Sequence, residues 1–415
     1  MKRSILLIVI TLSTAISGFT QQFQRCSSME YLQKLEAADP ALVIKRSLQE
    51  SASRDWINAQ TAGGHHTIIN IPVVFHILYN DSSQNLSDAV VLSQLDVINE
   101  DYRRLNPDTG QTPLAFRAVA ADCEIQFCLA QRTPGGQSTN GIIHKFTSVT
   151  SFSDYEQTKF DQFGGDNSWD ASKYMNVWVA AFSNPNFLGI GTFPNSVPPE
   201  NDGIVINYKA CGRIGNHLMD HYNKGRSLTH EVGHYLNLLH IWGDDGHLCS
   251  SDDFISDTPL QTSETYGCPA YPRYDSCSAT LPGVMFMNFM DYTDDECMNI
   301  FTLGQKMRML SALNLDRTSL LTSDGCLGVG ISENEIRKHI SVFPNPASRE
   351  LTLRSEKMNI TGYEIQNMVG ENVMTDFHTL PFSESILDIS SFSPGIYFLR
   401  VHTENGDAVY KVVKR

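Results

Sequence analysis

The stretch THEVGHYLNLLHIWG, residues 229–243, carries histidines at 230, 234 and 240 and a glutamate directly after the first. On an α-helix, positions i and i+4 share a face, so His230 and His234 can point at one ion. Glu231 sits one position round the helix, near that ion but free of it, which suits a general base acting on an activated water. His240 can join as third ligand if the helix ends and the chain turns sharply after Leu236. Asn237 stands at that turn, and asparagine is the non-glycine residue best suited to the left-handed conformation that closes a helix. Three protein ligands leave a fourth position open, as catalytic zinc requires. The competing reading is a buried amphipathic helix with Val232, Tyr235, Leu236, Leu238 and Leu239 on its core face and incidental histidines. With only 13 histidines in 415 residues, a third one at the needed place weighs against it. A second pair, in HLMDH at 217–221, has only the shorter Asp220 and no third ligand, so His217 and His221 read as solvent-facing or structural.

The chain is too long for one ordinary core. Its net charge of −15, from 46 acidic and 31 basic residues, disfavours nucleic acid and anionic lipid as partners and supplies the carboxylates that calcium prefers. MKRSILLIVITLSTAISGF at the N-terminus has two basic residues, an apolar core interrupted by Thr11, Ser13 and Thr14, and small residues after it. It reads as a secretory signal peptide over 1–20, cut near 18–22, and no later stretch is apolar enough to leave an integral membrane segment in the mature form. Export permits disulfides among the nine cysteines and leaves at least one thiol over.

Residues 21–62 read as a polar, partly helical segment ahead of the next domain, with AGGHH at 62–66 as a flexible joint. IINIPVVFHILYN (68–80) is a β-branched buried strand. Ser87 can cap a helix over 88–105, on which Val91, Leu95, Ile98 and Tyr102 recur at helical spacing. Further strands are expected at 123–130, 175–182 and 202–208. Together these suggest an α/β or α+β domain over 63–322, the α+β form being a twisted mixed sheet with the histidine helix against it. From 250 to 300 periodicity fades into loops rich in Cys, Pro and Asp. Residues 323–337 read as a linker, and 338–415 as an all-β sandwich of short strands between turns.

The histidine stretch resembles the metzincin metallopeptidases, whose pattern is H-E-x-x-H-x-x-G-x-x-H followed by a Met-turn; Asn237 replaces the usual glycine. MNFMDYTDDECM (287–298) supplies Met290 as the Met-turn methionine, a hydrophobic floor beneath the metal, and Tyr292 as the tyrosine that stabilises the transition state in several such families. Within the metzincins, residues 68–310 are similar to the pappalysin family, in its bacterial ulilysin/mirolysin-like branch. IPVVFHILYN, SLTHEVGHYLNLLHIWG, SDTPLQ and NFMDYTDDECMNIFTLGQ carry that resemblance. It implies disulfides pairing Cys249 with Cys277 and Cys268 with Cys297. It also implies structural Ca²⁺ in the loop CSSDDFISDTP, where Asp252, Asp253 and Asp257 are candidate ligands. The acids after the Met-turn, Asp294, Asp295 and Glu296, are candidates for a pocket that favours Arg or Lys after the cut. Relatives carry an Arg-Cys stretch in the propeptide; here Cys26, in QRCSSMEYLQKL, is expected to hold the metal and keep the enzyme latent. Cys123, Cys128, Cys211 and Cys326 stay unassigned. The tail, through ISVFPNPASRELTLR and PGIYFLRVHTENGDAVYKVVKR, resembles the C-terminal sorting domain of the type IX secretion system of Bacteroidetes. That resemblance implies the secretion machinery as a partner and the outside or surface of a Gram-negative, Bacteroidetes-like cell as the expected destination.

The combined expectation is a secreted zinc endopeptidase acting on proteins or peptides. His230, His234 and His240 hold Zn²⁺, Glu231 is the general base and Tyr292 steadies the developing oxyanion. Extended substrate would lie along an edge strand of the sheet. The rival is a surface adhesin with a purely structural metal site, but such a site wants four closed ligands and has no use for Glu231.

Overall fold

A computed structural model describes residues 25–60, 68–244, 249–250, 252–328, 333–403 and 406–415. The expected signal peptide and the expected joint at 62–66 lie outside these. The chain divides into two compact units, residues 1–327 and 328–415.

The first unit opens with α1 (Ser28–Ala38) and α2 (Pro40–Ala59). Asp39 separates them; its side chain accepts from Ala41 N and Pro40 takes the first helical position, so one residue ends one helix and caps the next. β1 (Ile69–Tyr79), α3 (Asp88–Tyr102), β2 (Ile125–Leu129), β3 (Ile142–Phe146), β4 (Met175–Ala180), β5 (Gly189–Gly191) and β6 (Ile204–Asn207) follow. The histidine helix α4 (Arg226–Tyr235) and α5 (Leu303–Leu315) complete the unit. The sheet is mixed, in the order β2-β1-β4-β6-β5, with β3 also paired to β1. All pairings are parallel except β5 with β6. β1 is flanked on both sides and buried on both faces, which is why it reads as a nearly continuous apolar run rather than an alternation. One sheet face, through Phe75, Ile77, Val177, Val179 and Ile206, packs with α4 and α3 into the main core. The other face, through Leu78, Trp178, Ala180, Ile190 and Val205, builds a smaller one.

β1 also buries a histidine. His76 lies 2.6 Å through Nδ1 from Asp166 and 3.1 Å through Nε2 from Asn176 Oδ1, and it stacks on Trp178. Lys145 adds a second contact to Asp166.

The expected elements match with shifted ends. The helix after Ser87 stops at Tyr102, short of 105, and the Ser87 side chain makes no capping bond. β3 and β5 have no counterpart among the expected strands; β5 is three residues, Gly-Ile-Gly, too short for any period to show. The start of the expected linker belongs to the first unit: Cys326 is bridged to Cys128 of β2 and Gln131 N donates to Gly325 O.

The second unit begins with α6 (Glu333–His339), where a linker was expected, and continues with β7 (Ile340–Phe343), β8 (Glu350–Ser355), β9 (Ile360–Gln366), β10 (Asn372–Phe382), β11 (Glu384–Asp388), β12 (Gly395–Thr403) and β13 (Gly406–Lys414). They form two antiparallel sheets, β10-β9-β12-β13 and β11-β8-β7, which share one core through Leu351, Leu353, Tyr363, Ile365, Leu399 and Val401. β10 escapes the sequence pattern because it is an edge strand carrying Pro381 and the exposed Phe377.

Candidate active site

α4 carries His230, Glu231 and His234, all buried. The helix stops because Asn237 adopts φ +71°, the left-handed conformation, with Leu238 N donating to Gly233 O. Two arginines satisfy carbonyls at this end: Arg317 Nε donates to Tyr235 O and Arg308 Nε to Asn237 O. The turn swings His240 back beside the other two rings.

The three Nε2 atoms lie 3.1–3.2 Å from one another. Each Nδ1 faces an acceptor: Phe289 O at 2.7 Å for His230, Leu238 O at 2.8 Å for His234, and the Asp244 carboxylate at 2.7 Å for His240. Those partners fix the proton on Nδ1, so three lone pairs converge at Nε2. Converging lone pairs repel unless a cation lies among them. A tetrahedral zinc with bonds of about 2.0–2.1 Å would set its nitrogens roughly 3.3 Å apart, close to the spacing observed. The residues therefore fit the metal. Burial drives the pKa values of His230 and His234 down, which keeps them neutral and able to ligate.

Cys26 Sγ completes this set: it and the three histidine nitrogens all lie within 4.8 Å of one another. Burial and the Glu231 carboxylate push this thiol up, and it donates to Glu231 Oε2 at 3.3 Å. Ser28 Oγ donates to the same oxygen at 2.8 Å and accepts from Gly191 N. Burial raises the Glu231 pKa to about 7 against these hydrogen bonds. Cys26 forms a parallel bridge with Gly189, and Ser27 N donates to Gly189 O, so the segment leading into α1 pairs with β5. β5 can approach α4 this closely only as glycine: a Cβ on Gly191 would collide with the Glu231 carbonyl.

Met290 is fully buried beneath the helix, where a Cβ on Gly233 would collide with its sulfur. The Tyr292 ring stands 5.0 Å from that of His240, and its hydroxyl donates to Cys26 O at 3.4 Å.

The candidate pocket residues separate. Asp295 is buried and pairs with Arg25 at 3.3 Å; Arg25 also donates to Thr293 O and lies over the Tyr222 ring at 4.9 Å. Asp294 pairs with His221, which is largely exposed, and Glu296 is exposed beside Cys268. His217 bonds Cys211 O. The calcium candidates separate too. Asp253 is buried, accepts from Ile255 N and Thr258 Oγ1, and contacts Asp252. Asp257 turns away to accept from Gly304 N. Among the described residues these three do not converge on one point.

Disulfides join Cys249 to Cys277, Cys268 to Cys297 and Cys128 to Cys326; Cys26, Cys123 and Cys211 are free and buried. Sequence reasoning missed Arg25, Ser28, Tyr222, Asp244 and β5. Only Asp244 left a local signal: it stands four residues past His240, where an acceptor for Nδ1 can reach.

Residues 159–314 match the peptidase family M43 model described as pregnancy-associated plasma protein-A, and 341–415 match the secretion system C-terminal sorting domain. An extracellular metalloprotease of Verticillium alfalfae is 32% identical over 256 residues, covering 59% of this chain and 77% of the relative. One from Trichophyton verrucosum is 29% identical over 267 residues, covering 63% and 80%. Among solved structures, a promirolysin point mutant of Tannerella forsythia is 42% identical with a TM-score of 0.65, covering 72% of this chain and 97% of the other. Mature mirolysin of the same organism, in complex with a cleaved peptide, is 48% identical with a TM-score of 0.60, covering 61% and 96%.

Proposed function

The chain is a metalloprotease of the pappalysin family, M43, and on that premise we propose that it is made as a latent zinc endopeptidase, exported, and activated by loss of residues 21–62. The observation that carries this reading is the convergence of three histidine lone pairs beside Glu231, with the propeptide thiol of Cys26 closing the set.

Bound at His230, His234 and His240, zinc would supply the Lewis acid that acidifies a water and polarises the scissile carbonyl. Departure of the propeptide frees Glu231 Oε2 from Ser28 and Cys26. Glu231 then takes the water's proton and hands it to the leaving amine. Tyr292, whose hydroxyl reaches a propeptide carbonyl in the latent chain, donates to the developing oxyanion; losing one such donor costs roughly 3 kcal/mol. Gly189 O, the acceptor for Ser27 N, offers the same main-chain bond to an extended substrate. A preference for Arg or Lys after the cut is supported by Arg25 against Asp295, Thr293 O and Tyr222: a planar guanidinium finds a carboxylate, a carbonyl and an aromatic face together. For structural calcium the support is the acidic loop sequence that holds Asp252, Asp253 and Asp257. The sorting domain at 341–415 supports export to the surface or medium of a Bacteroidetes-like cell.

Casein degradation by the mature form tests the reading. Glu231→Ala is expected to abolish it while the protein stays folded; activity that survives this substitution rules out Glu231 as the base.

A further inference from the structure

Tyr31, five residues past Cys26, does not take part in the metal site. It packs on the sheet face turned away from α4, among the aromatic side chains of the smaller core. Its ring meets Tyr155 edge-on at 5.3 Å; Tyr155 stacks on Phe187 at 6.0 Å, and Phe187 contacts Phe182 at 4.7 Å. The Tyr31 hydroxyl hydrogen-bonds Glu156. A cavity of about 250 Å³ opens beside it, walled on one side by Ser27, Tyr31 and Lys34 of the propeptide and on the other by Phe152, Tyr155 and Phe187.

We propose that this aromatic nest is a substrate subsite that takes a tyrosyl or other aromatic side chain of the polypeptide being cleaved, with Tyr31 filling it in the latent chain. The inference rests on the peptidase reading above. Phe187 lies two residues before Gly189, whose carbonyl holds the Ser27 amide, so the nest borders the strand to which substrate adds. A peptide paired with β5 sends alternate side chains to the two sheet faces. One face leads to the histidines and Asp295, the other to the nest. When the propeptide leaves, one wall of the cavity goes with it. Tyr155 and Phe182, half-buried even in the latent chain, then present an apolar surface on the rim of the cleft. Glu156 gives that surface a polar end, which favours a phenol over a plain phenyl ring.

The test uses the mature enzyme and peptides with arginine fixed after the cut and alanine elsewhere. Tyrosine replaces alanine at each of the flanking positions in turn. At one position tyrosine is expected to raise kcat/KM by about tenfold or more, as burial of an aromatic ring allows, with phenylalanine giving a smaller gain. The Tyr-to-Ala ratio should fall towards one in both Tyr155→Ala and Phe182→Ala, so the result does not depend on one variant folding. Cleavage of the alanine parent with no gain from tyrosine anywhere, or a gain that both variants retain, overturns the subsite and leaves the peptidase reading standing. If none of the peptides is cleaved, the cleft reading fails and takes the subsite with it.

Discussion

His240 takes its orientation from Asp244, whose carboxylate accepts from Nδ1 at 2.7 Å, whereas His230 and His234 lean on main-chain carbonyls that no substitution removes. Asp244→Ala is therefore expected to weaken zinc binding by about 10–100-fold, read by competition against a chromogenic chelator; an unchanged affinity would mean that the Asp244 contact does not orient the ring. This contrast also sets how much of the site is legible from sequence. Histidine and glutamate identities at helical spacing carry their chemistry openly, so His230, Glu231, His234 and His240 can be singled out by number. Carbonyl acceptors belong to any residue and leave no mark. Arg25 and Tyr222 come together only through the fold, across a long sequence separation.

At the scale of elements, the long ones declare themselves: β1 by its β-branched run and α3 by its period. β5 does not, because its three residues, Gly189 to Gly191, are chosen for closeness to Glu231 rather than for strand propensity. Neither does the loop that brings Asp166 to β1. Burial alone would raise the Asp166 pKa, but the hydrogen bonds from His76 and Lys145 outweigh it and hold it below its usual value of 3.8. A depressed carboxylate adds stability that is present above its unfolded pKa and is lost as pH falls through its folded one. Asp166→Asn is thus expected to cost about 1–3 kcal/mol at pH 7, with the deficit shrinking once pH drops below about 4. Urea midpoints across that range measure it; a deficit that persists undiminished in acid would assign the loss to packing instead.

For the whole molecule, the decisive constraints are those that connect distant parts of the chain. The bridge from Cys128 to Cys326 spans a sequence separation of 198 and fastens the end of the first unit to β2. The replacement of both cysteines by serine is expected to lower stability by about 2–5 kcal/mol, seen as an earlier denaturant midpoint; an unshifted midpoint would make the bridge incidental. Sequence could count nine cysteines but could not pair this one, since its partner lies beyond six other strands and helices. The proposed propeptide is the other long-range constraint, because it sets a thiol from residue 26 against histidines some two hundred residues away. X-ray absorption at the zinc edge, on the precursor and then on the mature form, examines that arrangement most directly. The account predicts one zinc per chain, with three nitrogen neighbours and one sulfur in the precursor, and the sulfur replaced by oxygen after maturation. A precursor without zinc, or one whose zinc has no sulfur neighbour, would contradict it.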